Sequence, residues 1–148
     1  KLLFMNKNDY SCDKYNHLSI LLFTIPIIKA YLFDCYIFFM FNSIYLFVGF
    51  IYHYSLSKKI TNYTKILRIL DVICVHTLTP ILVYKCYFNN FNALVTIFCI
   101  SMMAVNYYIF PIIFNRDLPH VVIHILGCFA FIFSLESCYE NKNICEFC

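Results

Sequence analysis

Long, nearly unbroken apolar stretches separated by short polar breaks divide the chain. Five of them read as membrane helices, at 18–33, 35–54, 66–87, 91–114 and 118–135. A bilayer core about 30 Å thick needs about 20 apolar residues in helical form. None of the stretches alternates apolar with polar positions, so each reads as a helix rather than as a strand of an outer-membrane barrel. The pattern predicts an all-α fold, a polytopic membrane helix bundle of about five transmembrane helices over 18–135. An N-terminal segment, 1–17, precedes the bundle and a Cys-containing tail, 136–148, follows it. The first stretch is short and holds Pro26, and Asp34 alone parts it from the second. An alternative reading folds these two into a helical hairpin that does not fully cross.

Composition narrows the class. Of 148 residues, 62% are hydrophobic and 13% charged, about half the charged fraction of a soluble domain. That excludes a soluble globular protein, a disordered chain and a disulfide-stapled secreted miniprotein. The net charge of +3 is small and scattered, and no nucleic-acid partner is expected. Phe, Tyr, Ile, Asn and Lys abound while Trp is absent, a skew resembling AT-rich coding bias, so an aromatic stripe carries little weight here. Residues 1–5 give too short an apolar core for a signal peptide, and a first residue other than Met suggests a fragment or trimmed chain.

The break at 55–65 carries Lys58, Lys59 and Lys65, with Arg68 just beyond and no acid. The positive-inside rule places it in the cytoplasm of an otherwise unspecified membrane. Alternation then puts the N-terminus inside, 88–90 outside, 115–117 inside and the tail outside. Among nine cysteines, Cys35, Cys74, Cys86, Cys99 and Cys128 lie in or beside the apolar stretches, where a free thiol is an ordinary small apolar group. A disulfide among Cys138, Cys145 and Cys148 fits a tail in an oxidising lumen. Cys145 and Cys148 form a Cys-x-x-Cys without the flanking strand and helix of a thiol oxidoreductase.

Ionisable side chains at membrane depth cost several kcal/mol unless they face a polar interior. Five qualify: His53, Asp71, His76, His120 and His124. Alternation brings four of them, His53, Asp71, His120 and His124, to one depth. His120 and His124 are one helical turn apart on one face. With His53 they form a three-nitrogen set with an open fourth position, the form of a catalytic zinc site. Imidazole favours zinc, with copper and iron still open. Asp71 would orient or deprotonate the attacking water, or hold a ligand imidazole from behind. Each residue also has a plainer reading: the His120/His124 pair and His53 as interfacial groups, Asp71 as an ion-pair partner of Arg68, and His76 as a helix–helix hydrogen bond. The shared depth of four residues favours the metal.

The run Val48-Gly49-Phe50-Ile51-Tyr52-His53, the basic loop, and Lys65-Ile66-Leu67-Arg68-Ile69-Leu70-Asp71 together resemble the hemolysin III and progestin/adipoQ receptor (PAQR) proteins of the CREST superfamily. Thr79-Pro80 is similar to a phrase later in their third helix, and His120-Val121-Val122-Ile123-His124 is similar to the His-x-x-x-His that opens their last helix. The likeness covers about residues 43–84 and 117–135. It implies a Zn2+ held by His53, His120 and His124, with Asp71 near the metal's water. It further implies hydrolysis of a lipid amide or ester, such as a ceramide, drawn from the bilayer. Two departures stand out. The family's Ser four residues before the first His is Gly49 here, and Ser43 does not replace it, because the ten residues from it to His53 span about 15 Å along the helix. The family has seven helices; losing two between the third and the last keeps the parity that lets the ligands meet. The thinner-walled bundle that results suggests completion by a homo-oligomer, or a non-catalytic, receptor-like or accessory relative.

Overall fold

In a computed structural model the described residues are 16–58, 63–85, 91–109 and 117–140, with side chains described at all of these except 16, 78–85 and 117–119. They form an all-α bundle in the order α1 (Asn16–Ser19), a 3-10 turn (Ile20–Phe23), α2 (Thr24–Leu32), α3 (Tyr36–Ser57), α4 (Thr64–Lys85), α5 (Phe91–Tyr108) and α6 (Asp117–Glu140). No strand occurs among the described residues. Three helices are long and apolar enough to cross a membrane: Tyr36–Ser57, Phe91–Tyr108 and, within α6, His120–Glu140. The N-terminal arm from α1 to α2 is apolar but shorter, His17–Leu32, which rises about 24 Å against a hydrocarbon core of about 30 Å. α4 equals α3 in length but carries Lys65, Arg68 and Asp71 in its first two turns.

Pro26 accounts for the break in the arm. A helical proline has no N–H to give and crowds the carbonyl four residues earlier, here that of Leu22. The chain tightens into the 3-10 turn over that stretch, and the Leu22 carbonyl, which takes a backbone N–H at the end of the turn, also accepts from Cys128 Sγ of α6 at 3.4 Å. The arm ends in a Schellman motif. The Cys35 N–H donates to the Ala30 carbonyl (2.9 Å), the Asp34 N–H to that of Tyr31 (3.2 Å), and Asp34 takes a left-handed φ of 57°. The chain thus reverses with almost no loop, and α3 runs back along the arm, packed on both α1 and α2.

The most extensive pairing joins α5 to α6. Its contact is lined by small buried side chains, Ala93, Thr96 and Cys99 on one helix and Gly127, Ala130 and Ser134 on the other. In lipid, where apolar side chains gain nothing by leaving the solvent, such small faces let two backbones approach and pack. Elsewhere the core is aromatic. Phe23, Tyr45 and Phe131, from the arm, α3 and α6, form a ring cluster with centroids 4.6, 5.7 and 6.1 Å apart.

The end of the bundle near Asp34 is held by polar contacts. Lys29 pairs with Glu136, Asn92 Nδ2 donates to Glu140 Oε1 at 3.0 Å, and Phe33 stacks on Tyr139 at 4.1 Å. α6 therefore continues past the expected end at Leu135 to Glu140. Two cysteine readings change. Cys35 is disulfide-bonded rather than an ordinary apolar filler, and Cys138 is a thiol outside any disulfide, buried within α6, rather than a disulfide partner in the tail. The N-terminal segment through Tyr15, the remainder of the tail with Cys145 and Cys148, Cys12, Cys86 and the side chains of Thr79-Pro80 lie outside what is described.

Candidate metal centre

The opposite end of the bundle gathers histidines. His53 lies in the last turn and a half of α3, and His120 and His124 lie in the first turns of α6. Their ring centroids form a nearly equilateral triangle, 4.8 Å for His53–His120 and 4.9 Å for each of the other two sides. One nitrogen from each ring lies within 4.8 Å of the nitrogens of the other two. His53 and His124 are buried and His120 is half-buried, so the group is approached past His120. The alignment of depth expected from the sequence thus becomes contact.

The donor set fits a cation. His53 Nε2 and His120 Nε2 are 3.2 Å apart; two imidazole nitrogens on one tetrahedral zinc lie about 3.3 Å apart, given Zn–N of about 2.0–2.1 Å. The other nitrogen of His53, Nδ1, is buried with no hydrogen-bond partner among the described residues. A buried neutral imidazole ordinarily satisfies both nitrogens. One nitrogen from each of the three rings is close enough to share a single cation, and the approach of His53 Nε2 to His120 Nε2 equally permits a hydrogen bond between those two rings. A buried three-histidine group able to hold a metal ion is therefore present; its geometry does not select which metal.

Asp71 lies outside the three-residue group. It is half-buried on α4 and faces α3, its Oδ1 3.5 Å from where a Cβ on Gly49 would be. Gly49 is one turn before His53, and a helical side chain leans over the turn N-terminal to its own Cα. Asp71 therefore lines the same interior beside His53 without touching the rings. Arg68 is not its partner: the ion pair found among the described residues is Lys29–Glu136. His76 is exposed on α4, with Nδ1 2.7 Å from the Val72 carbonyl and Nε2 3.5 Å from Tyr108 Oη of α5, away from the triangle.

Two residues escaped the sequence reading. Ser19 Oγ lies 2.6 Å from His124 Nδ1, and His17 is close enough to His53 to interact with it electrostatically. Both belong to α1, and a polar residue at a helix start ordinarily reads as a cap or an interfacial group. The usable signal was parity: the start of the first stretch falls at the same end of the bundle as the end of the second. Below the triangle the interior is filled by Phe23, whose ring stands edge-on to His124 at 6.4 Å.

Fold and site together define a membrane-type helical bundle with a buried histidine triad at one end. Compared with protein-family models, curated proteins and solved structures, the chain matches none.

Proposed function

We propose that the protein is a reduced CREST-type membrane hydrolase, akin to the hemolysin III and PAQR proteins, that cleaves a lipid amide or ester such as a ceramide with the help of zinc. The observation that carries this reading is the convergence of His53, His120 and His124 from two helices far apart in sequence. A zinc ion supplies Lewis acidity toward a carbonyl oxygen and acidifies a water at neutral pH. The chain's own part is then simple. Three neutral imidazoles hold the ion, Phe23 and its aromatic neighbours exclude water from beneath, and the Asp71 carboxylate accepts the proton of the attacking water. Substrate enters past His120, the most accessible of the three rings.

Full-length protein purified in detergent should carry zinc at one per chain, and His120→Ala should lose it. A metal-free protein whose stability is unchanged when all three histidines are replaced would rule the site out. One observation favours a second, non-catalytic reading. The space that a serine at position 49 would use is occupied by the Ile20 side chain, whose Cδ1 is 3.0 Å from a Cβ built there. Stoichiometric zinc without turnover on a panel of ceramides and lipid esters selects that reading.

A further inference from the structure

We infer that Ser19 is a positioning residue of the metal centre: its hydroxyl holds His124 in the tautomer whose Nε2 is free to bind, and so couples metal loading to docking of the N-terminal arm. This inference rests on the metal-binding reading above. The 2.6 Å contact between Ser19 Oγ and His124 Nδ1 joins residues 105 positions apart. Two arrangements satisfy it. When the hydroxyl donates to Nδ1, a neutral ring must keep its proton on Nε2, which then has no lone pair to offer. When Nδ1–H donates to the hydroxyl oxygen, Nε2 carries the lone pair. Only the second arrangement makes His124 a ligand. A serine can accept in this way because its own hydrogen remains available to another acceptor, on a helix commonly a carbonyl one turn back.

His124 is only 3% exposed, so little solvent competes for Nδ1. The arm is also held in register. One turn beyond Ser19 and one beyond His124, Cys128 Sγ donates to the Leu22 carbonyl. The same two elements are therefore tied twice in succession, and the first tie ends on a ligand ring. Metal-ligating histidines generally give their second N–H to such an acceptor, and losing it costs roughly 10- to 100-fold in metal affinity.

The test is Co2+ and Zn2+ binding by the full-length protein in detergent, read by the visible spectrum of bound Co2+ and by competition with a chelator. Wild type should bind one ion, and Ser19→Ala should bind it roughly 10- to 100-fold more weakly with an altered Co2+ spectrum. Ser19→Thr, which keeps the hydroxyl, should stay close to wild type. If Ser19→Ala matches wild type in affinity and spectrum, the role of Ser19 is overturned and the metal reading stands. If wild type binds no Co2+ or Zn2+, the metal reading falls and takes this inference with it. Should the alanine variant fail to fold, the equally shaped pair Ser19→Thr and Ser19→Val decides: weaker binding in the valine variant supports the role, and equal binding overturns it.

Discussion

Gly49 and Gly127 are the two glycines of the chain, and both stand where a helix closes on the N-terminal arm. A methyl group added at Gly127 would meet Phe23 Cζ at 2.9 Å and Met103 Cε at 3.4 Å. Phe23 cannot retreat, because its ring is wedged among Tyr45, Phe131 and His124. Alanine in a helix interior gains about 1 kcal/mol over glycine, whereas overpacking a filled core costs about 1–3 kcal/mol. Gly127→Ala should therefore lower stability by about 1 kcal/mol, read as an earlier thermal unfolding midpoint in detergent. At Gly49 the balance differs. The nearest atom, Ile20 Cδ1 at 3.0 Å, is the tip of a flexible side chain, and the next neighbour after Ile20 is Asp71 Oδ1 at 3.5 Å. Gly49→Ser should leave stability within about 1 kcal/mol of wild type, the helical gain offsetting a small shift of Ile20. It also brings a hydroxyl beside the Asp71 carboxylate. Turnover on a lipid amide or ester should rise under the hydrolase reading and stay absent under the non-catalytic one.

The elements show what the apolar pattern can and cannot reveal. Expected and observed helices agree within a few residues at most ends, because lipid-length apolar runs have few other ways to satisfy their backbone. The tight reversal at Asp34 is one of the places where the sequence looked weakest, and it is resolved by a single left-handed residue. Aspartate tolerates that conformation better than most residues, though glycine tolerates it best. Asp34→Gly should hold or raise the unfolding midpoint, with a gain of up to about 1 kcal/mol. Asp34→Val should lower stability by about 1–2 kcal/mol, the cost of a left-handed residue with a Cβ, and the two midpoints measured side by side check the pair. The end of α6 was not legible for a different reason. Glu136 and Glu140 mark a polar tail when read alone, yet each meets a partner, Lys29 and Asn92, from a distant part of the chain. Cys35 was misread on the same ground, since a thiol and half of a disulfide look alike until the fold brings a partner near.

At the scale of the whole molecule, the histidine triad was legible because helix parity is a global constraint. Once the crossings are counted, the ends of alternate helices must coincide, and His53, His120 and His124 fall together with no knowledge of packing. Ser19 was not, since a hydroxyl carries no depth penalty that marks it, and only the rotation imposed on the arm by Pro26 and its 3-10 turn aims it at His124. The same parity gives the two ends opposite chemistry. The histidine end adjoins the basic stretch around Lys58, Lys65 and Arg68, whereas the Asp34 end carries the disulfide-bonded Cys35. Basic loops stay in the cytoplasm and disulfides persist on the oxidising side, so two independent rules predict the same orientation, with the histidine end toward the cytoplasm. Lys58 and Glu140 are exposed at the two ends. In intact cells, an impermeant maleimide should therefore label Glu140→Cys directly and Lys58→Cys only after the membrane is permeabilised. The reverse order would turn the bundle over, put the histidines on the oxidising side, and leave the basic loop and the disulfide each in the compartment that ordinarily excludes it.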